Sequence, residues 1–373
     1  MSTTATNTST NTPTSTPTSS QPGERRPLNG QLTAGQLPKH TAIALLVVSL
    51  VVTSALLALL GSFGITAAVL LGGLLFLVAI VVLSLVVEGQ RKATDRLARY
   101  LATTAFLVAL VPLVSLLVST VGNGLDRLDM KFFTYSMRNV VGQGGGAVHA
   151  INGTLIVTGL ATLISVPIGM MTAIYLSEYG RGNRLARAIT FFVDVMTGIP
   201  SIVAGLFAYT MFSLIMGPGT KVGLAGAVAL SVLMIPTVVR STEEMLRLVS
   251  NDLRESALAL GVPKWKTITK VVLPTSIAGI ITGVILAVAR VIGETAPLLV
   301  TAGLTASMNS NPVDGPMTTL PVYVYYQYMT PGIPQDPYYA RAWTGALTLV
   351  ALVMGLNLIG RLLAWKFAPK GNR

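Results

Sequence analysis

Arg290 and Glu294 are the charged residues whose types and spacing point most directly to chemistry. They lie four residues apart in an otherwise apolar run, so an α-helix would place them on one face, where the carboxylate can accept hydrogen bonds from the guanidinium. A guanidinium offers a planar set of N–H donors suited to phosphate or carboxylate oxygens. A buried Arg costs about 2.5 to 3.5 kcal/mol on insertion scales, so we expect it to face a cavity or a partner at a functional site.

The carboxylate of Glu294 would influence which anion binds to the guanidinium of Arg290. It would repel a fully ionised anion, but it can accept a hydrogen bond from an anion that still carries a proton, as inorganic phosphate does near neutral pH. Sulfate lacks that proton and would be disfavoured. The alternative is that Glu294 pairs with Arg290 alone, and that the pair only allows the helix to insert.

A helix break is predicted beside these charges. Pro297 has no N–H and its ring displaces the preceding turn, which frees the carbonyl of Gly293. If the helix starts after Pro274, Arg290 lies about 22 Å along its axis at about 1.5 Å per residue. Broken helix at that depth is tolerated where it lines a cavity. Pro200 is predicted to bend the helix of an earlier apolar run.

The segment 241–274, which includes the loop 249–274, forms a second group of interest because its capping, glycine and proline residues predict short helices. Ser241 and Asp252, each followed three residues later by Glu, match the capping-box pattern. A two-turn helix is predicted over 253–260 and ends at Gly261, which adopts the left-handed conformation readily. Such a helix could dock into a groove on a partner protein or lie on lipid headgroups.

The elements that must position these residues are long apolar segments. A bilayer core of about 30 Å needs about 20 apolar residues as a helix. Runs that qualify lie near 41–60, 63–87, 100–121, 151–177, 190–216, 222–240, 272–302 and 343–365. They are continuously apolar, which excludes a β-barrel. The predicted fold class is an all-α integral membrane protein with about eight transmembrane helices.

Composition and charge agree with a membrane protein. The chain is 52% hydrophobic and 11% charged, against roughly 25% charged in soluble domains, which excludes an ordinary soluble enzyme. Twenty of its 26 Lys and Arg residues fall on the side of the termini and five on the other side. Both termini are therefore predicted to be cytoplasmic, in the cytoplasmic (inner) membrane, and the net charge of +12 needs no nucleic acid as a partner. His149 has no second ligand nearby, so neither a metal nor a catalytic site is predicted.

The stretch ESALALGVPKWKTITKVVLP at 255–274 resembles the EAA loop of ABC importer permeases. The matching positions are Glu255, Ala257, Gly261, Leu273 and Pro274, while Ser256 and Val271 are mild replacements. The resemblance implies that the helix fits a groove on a separate ATPase subunit, with coupling carried by Glu255, Ser256, Ala257 and Gly261. The chain has no G-x-x-x-x-G-K-[ST] phosphate loop. It is therefore expected to be a transporter subunit and not an enzyme, with ATP and Mg bound by partner ATPases and no cofactor of its own.

Three further stretches, at 145–154, 198–207 and 289–299, resemble the PstA-type phosphate permeases. This family implies a type I ABC importer in which the third to eighth spans form the permease core. It also implies a homologous permease partner, two ATPase subunits, an external phosphate-binding protein and inorganic phosphate as substrate. By the same matching, Arg290, Glu294 and Thr295 belong to the substrate path. The segment 312–337, rich in Tyr and Pro, is expected to be an external loop that receives the binding protein.

The predicted organisation has three parts. Residues 1–40 are a disordered cytoplasmic tail, 41–98 are an extra transmembrane hairpin with a cytoplasmic loop, and 99–373 are the permease core. Competing hypotheses are a permease for another oxyanion, an ion-coupled secondary transporter, which would need repeat-related broken helices and acidic coupling sites, and a non-transporting membrane scaffold.

Overall fold

A computed structural model describes residues 35, 37–38, 40–61, 64–180 and 182–367. Within these ranges there are helices, turns and irregular segments but no β-strand, so the predicted all-α class is confirmed. The predicted tail at 1–40 lies almost wholly outside the described residues.

The α-helices follow one another along the chain with short connections. In chain order they are α1 Thr41–Leu59, α2 Ile65–Val87, α3 Gln90–Gly124, α4 Met130–Thr134, α5 Val148–Ile174, α6 Arg184–Thr197, α7 Ser201–Met216, α8 Gly223–Arg247, α9 Asn251–Ala259, α10 Lys264–Thr267, α11 Leu273–Val291, α12 Ala296–Thr301, α13 Leu320–Met329 and α14 Asp336–Phe367. Two π-helical segments continue these helices: Tyr175–Tyr179 follows α5 and Ile268–Val272 joins α10 to α11.

The number of membrane spans agrees with the prediction of about eight. Among the described residues, seven helices are long and apolar enough to cross a bilayer, and the count reaches eight if α6 and α7 together form one span. These two helices meet at an angle of 107°. The bend predicted at Pro200 within the run 190–216 is therefore confirmed, and it divides that run into two helices. Pro200 has extended backbone angles and directly precedes α7, and a proline cannot continue the hydrogen-bond ladder of α6.

Two compact units divide the chain at residues 112 and 113, inside α3. In the first unit, α1 and α2 form a hairpin. A Cβ on Gly72 would lie 2.7 Å from a side-chain carbon of Leu50 and 2.9 Å from the Thr53 hydroxyl oxygen, so glycine permits the close approach. The buried hydroxyl of Thr53 donates to the carbonyl of Ser49, 2.8 Å away, which satisfies it inside an apolar hairpin.

The turn after α2 is held by a charged cluster. The Glu88 carboxylate accepts bonds from the guanidinium of Arg96, at 2.6 and 2.8 Å, from the Ser84 hydroxyl at 2.7 Å and from the Leu37 N–H at 2.8 Å. The hydrogen bond from Arg96 lowers the pKa of Glu88 from 4.5 to about 2, against the opposing effect of burial. The carboxylate therefore stays ionised at any physiological pH.

The second unit is built around α5, α8 and α11. Small residues let these helices approach closely, because a Cβ on Gly169 of α5 would lie 2.7 Å from Val238 of α8, and one on Gly283 of α11 would lie 2.6 Å from Ser241 of α8. The fully buried side chains of the main core are Val157, Ala161, Ala227, Leu230, Met234, Val238, Ala287, Val291, Leu298, Ala302, Met317 and Val322.

Two local predictions in this unit are wrong. Ser241 does not cap a helix, because α8 continues through it to Arg247 and its hydroxyl donates to the carbonyl of Val238. The helix continues because the apolar spacing that packs it on α11 runs past this serine. The segment expected to be a loop at 312–337 contains α13, whose Leu320 and Tyr323 are buried against the start of α5.

Gly153 tests the packing of α5. A Cβ at Gly153 would overlap the carbonyl oxygen of Thr318, a backbone atom, whereas one at Gly159 in the same helix meets nothing within 4 Å. We expect Gly153→Ala to destabilise the permease by about 1 to 3 kcal/mol through overpacking. Thermal unfolding of the purified complex measures this, with Gly159→Ala as the matched control. Equal stability of the two variants would contradict the packing.

Candidate functional site

Arg290 lies in the membrane-spanning part of α11 and is exposed. Its depth follows from the antiparallel packing on α8, in which Gly279 faces Met245 and Gly283 faces Ser241. Because both helices rise by the same amount per residue, this register brings Arg290 to the level of Met234, near the middle of α8. The guanidinium is thus at mid-membrane depth and is not buried within the chain.

Glu294 does not share a helical face with Arg290, contrary to the sequence prediction. α11 ends at Val291, and the N–H of Glu294 closes a turn onto the carbonyl of Val291, 3.1 Å away. Within the described part of the chain, the carboxylate of Glu294 has no Lys, Arg or His nitrogen within 4.0 Å. The helix ends early because Pro297 cannot donate to the carbonyl of Gly293.

The interruption between α11 and α12 covers residues 292–295. Gly293 lies in the turn and is exposed, Thr295 directly precedes α12 and is half-buried, and Pro297 is buried in the first turn of α12. At this position the proline is compatible with the helix because the first N–H groups have no intrahelical partner. The side chains of Arg290, Glu294 and Thr295 therefore border one irregular stretch of backbone within a membrane-spanning region.

The helix that follows the second break, at Pro200, packs against the helix that follows the first. α7 begins directly after Pro200 and packs on α12, where a Cβ on Gly205 would lie only 2.6 Å from the Cα of Pro297. Ala204 is buried in the same contact region, at 2% exposure. Small side chains on α7 thus allow the short helix α12 to sit against it.

Chemically, this site offers one exposed guanidinium, one half-buried carboxylate and one hydroxyl. The N–H donors of Arg290 suit the oxygens of an anion. The carboxylate of Glu294 can accept a hydrogen bond from a protonated oxygen. This set of groups could bind an oxyanion that carries a proton.

The short helix predicted over 253–260 is present as α9, Asn251–Ala259. Ser250 directly precedes it, so Asp252 lies in the first turn and does not cap the helix as predicted. Gly261 has φ +76°, its N–H bonds to the Leu258 carbonyl at 2.9 Å, and the Val262 N–H bonds to the Ala257 carbonyl at 3.2 Å. These two bonds complete the glycine-terminated helix end known as the Schellman motif.

The outer face of this region is apolar and exposed. Leu253, Leu258, Leu260 and Trp265 are among its exposed large side chains, with Leu260 84% exposed. Glu255 and Ser256 are exposed beside them, and Ala257 is half-buried. Exposed apolar side chains next to a short helix form a surface suited to a protein partner.

A buried ion pair that the sequence did not predict holds α9 in place. Arg254 is 9% exposed and Glu178, in the π-helical segment after α5, is 8% exposed. Arg254 donates to Glu178 Oε1 from Nε at 3.1 Å and from Nη2 at 2.8 Å. It also donates to the carbonyls of Leu246 and Val249, at 2.7 and 2.6 Å. The guanidinium therefore connects α9 to the ends of both α5 and α8.

The ion pair could not be predicted from the sequence because its two residues lie 76 positions apart in the chain. The available signal was weak: Glu178 is an acid directly after an apolar span, and Arg254 is a lone cation on the inner side of an Ala-rich helix.

A second charged group lies beyond them on α8, where Glu243 accepts from Arg240 at 3.1 Å and from Arg247 at 2.5 Å, and Arg240 also pairs with Asp194 of α6.

Comparison with protein families agrees with this geometry. The family model of the binding-protein-dependent transport system inner membrane component matches residues 165–370, more than half of the chain. The chain belongs to this family. The match contains α9, Gly261, Arg290 and the break at 292–295, so the site described above lies within the family's own region.

Individual relatives carry a more specific name. The phosphate transport system permease protein PstA of Mycobacterium leprae is 45% identical over 276 residues, which cover 73% of this chain and 88% of that protein. PstA of Yersinia pestis is 40% identical over 283 residues, 76% of this chain and 93% of that protein. The resemblance to PstA-type permeases is confirmed, and the chain is a transporter component and not an enzyme.

A solved structure supports the fold. An inward-facing structure of the MetNI methionine ABC transporter is 21% identical with a TM-score of 0.50, and the match covers 60% of this chain and 96% of that one. The described helices therefore have the architecture of an ABC importer permease.

The buried pair can be tested by removing one charge. Glu178→Gln leaves the buried Arg254 without its counter-charge, which costs about 3 to 5 kcal/mol for pairs of this kind. We expect a lower unfolding temperature of the purified complex, and partial recovery when Arg254→Met is added, because the pair is then removed as a unit.

The matched control is Glu244→Gln on α8, an exposed acid with no ion pair among the described residues. It should leave the unfolding temperature unchanged. If Glu178→Gln behaves like this control, the pair does not anchor α9.

Proposed function

We propose that this chain forms part of the translocation path for inorganic phosphate in an ATP-driven importer, with Arg290, Glu294 and Thr295 in contact with the anion. The observation that carries the proposal is the exposed guanidinium of Arg290 at mid-membrane depth, beside a broken helix. An unneutralised charge in a bilayer needs a cavity or a partner. The names of the relatives support phosphate as the anion.

Glu294 supports phosphate over other oxyanions. Because no cation of the described chain lies within 4.0 Å of its carboxylate, Glu294 is available to accept a hydrogen bond from a protonated anion. Sulfate has no proton to offer and would meet only repulsion. A permease for another oxyanion is the second candidate, supported by the fact that Arg290 alone accepts any such anion.

The assembly that this function requires has several partners. A homologous permease would face the exposed side of α11 and complete the path, and an external phosphate-binding protein would deliver the substrate. Two ATPase subunits would bind ATP and Mg, while this chain supplies no cofactor. Each permease would dock the exposed face of α9, including Glu255 and Ser256, in a groove of one ATPase.

Coupling would run through Arg254 and Glu178. Closure of the ATPases on ATP would move α9, and the buried ion pair would pass that movement to the end of α5, which packs along α8. Hydrolysis would reset the arrangement. Alternating access to Arg290 would follow from movement of these packed helices.

The orientation follows from the distribution of charge. We propose that both termini and the coupling loop 249–274 are cytoplasmic in a multi-pass protein of the inner membrane, because most Lys and Arg residues lie on that side. The permease core would comprise 99–373, and the hairpin at 41–98 would be an addition to it.

Uptake measurements test the path. At matched membrane levels in cells that carry the full complex, we expect Arg290→Ala to lower phosphate uptake by roughly tenfold or more, since charged hydrogen bonds to the anion are lost. Glu294→Gln should also lower uptake, because the amide no longer accepts the phosphate proton as strongly.

Thr282→Ala, on the same exposed side of α11, is the matched control and should transport normally. Normal uptake by Arg290→Ala would refute the site. Normal uptake by Glu294→Gln alone would leave an oxyanion path without selection for phosphate.

A further inference from the structure

A cavity of about 240 Å³ lies at the end of the permease opposite the coupling helix. His149, in the first turn of α5, lines it, whereas Glu178 follows the other end of α5, roughly 43 Å away at about 1.5 Å per residue. Tyr323 and Gln327 of α13 and Tyr338 of α14 form much of the remaining wall. The cavity is thus distinct from the region around Arg290.

The cavity wall contains buried polar atoms that lack partners. The hydroxyl of Tyr323 and Nδ1 of His149 form no hydrogen bond with any described residue, although these side chains are only 2% and 3% exposed. Their rings meet edge to face, with centroids 5.6 Å apart. Buried polar groups are normally satisfied, so two unsatisfied groups in one cavity indicate a missing partner.

A buried positive charge lies behind the same wall. Arg341 is 0% exposed, its Nε donates to Gln327 Oε1 at 2.9 Å, and its guanidinium lies 4.5 Å from the ring centre of Tyr338. Its Nη1 donates to the carbonyls of Gly142 and Gly144, at 2.7 and 3.0 Å. Its Nη2 is buried and, in the part of the chain that the structure describes, has no acceptor.

No carboxylate of the described residues lies within 4.0 Å of Arg341. A guanidinium does not lose its proton in proteins, so Arg341 keeps its positive charge although it is buried. Arg127 also lies in this region, where it donates to the Gly145 carbonyl at 2.8 Å, but its charge is paired with the Asp129 carboxylate, 4.0 Å from its Nε. Burial raises the pKa of the Tyr323 hydroxyl, so the group stays a hydrogen-bond donor. The cavity therefore has a free donor in its wall and, behind that wall, one positive charge without a carboxylate partner among the described residues, that of Arg341.

We propose that this cavity is a second oxyanion site, in which the Tyr323 hydroxyl and the positive charge of Arg341 hold an inorganic phosphate ion before it reaches Arg290. That the bound oxyanion is phosphate rests on the proposed function. That the cavity binds an anion at all is independent of the proposed function, because it follows from the uncompensated charge and the unpartnered donors. A partner's carboxylate would meet the same charge, but a pocket of this volume suits a small free ion.

The natural chain contains no cysteine, so a single introduced cysteine can report on the cavity. Thr330 lines the cavity and is exposed, and Thr330→Cys is close in size. The full permease and ATPase complex, without the binding protein, is placed in phosphatidylcholine nanodiscs. Modification of this chain by a charged thiol reagent is then followed with increasing inorganic phosphate. We expect saturable slowing of the reaction.

Tyr323→Phe is the decisive variant. It removes only a hydroxyl that has no partner within the described chain, so the protein should fold with unchanged stability. Phosphate should then protect Thr330→Cys about tenfold more weakly, as expected for a lost bond to a charged ligand. Tyr325→Phe on the same helix, whose side chain is 40% exposed and does not line the cavity, is the matched control and should keep full protection.

The outcomes separate this site from the proposed function. Protection that survives Arg290→Ala supports a distinct site, whereas protection lost with Arg290→Ala overturns it. Absent protection, or protection insensitive to Tyr323→Phe, also overturns the proposal. The proposal is also overturned if the cysteine of Thr330→Cys is protected in nanodiscs without phosphate but reacts in detergent. That result would mean that a lipid headgroup fills the cavity. Failure of phosphate uptake with protection intact would count against the proposed function alone.

Discussion

Close packing of α5, α8 and α11 through small residues is the constraint on which the second unit depends. Gly169 against Val238 and Gly283 against Ser241 leave no room for larger side chains, so the three helices have one mutual register. That register places the charged groups at separate levels. Glu178 meets Arg254 at one end of α5, Arg290 of α11 is level with the middle of α8, and His149 lies at the other end of α5.

The charges at these levels are satisfied in different ways, and the difference indicates their roles. Arg254 has a carboxylate and two backbone carbonyls within 3.1 Å, which makes it a permanent structural tie. Arg290 is exposed in a membrane-spanning helix, which suits a charge that meets a mobile ligand. Arg341 is fully buried, with one nitrogen that has no acceptor and no carboxylate within 4.0 Å among the described residues, so its charge is left uncompensated.

The sequence predicted those features that depend on nearby residues. The end of α9 at Gly261 follows from the left-handed conformation that glycine adopts at low cost, and the breaks at Pro200 and near Pro297 follow from the missing N–H of proline. Predictions failed where packing overruled local patterns. The capping pattern at Ser241 is overridden by continued contact of α8 with α11, and the helical spacing of Arg290 and Glu294 does not apply because α11 ends between them.

The membrane class, the approximate spans, the position of the short helix α9 and the presence of a charge within an apolar span could therefore be read from the residues alone, because these features depend on composition and on neighbours within a few positions. Three contacts could be seen only in the folded chain: Arg254 pairs with Glu178, α7 meets α12 at Gly205 and Pro297, and Tyr323 and His149 line one cavity with Arg341 behind its wall. These contacts join residues far apart in the chain, and their partners are selected by helix packing, which no local pattern encodes.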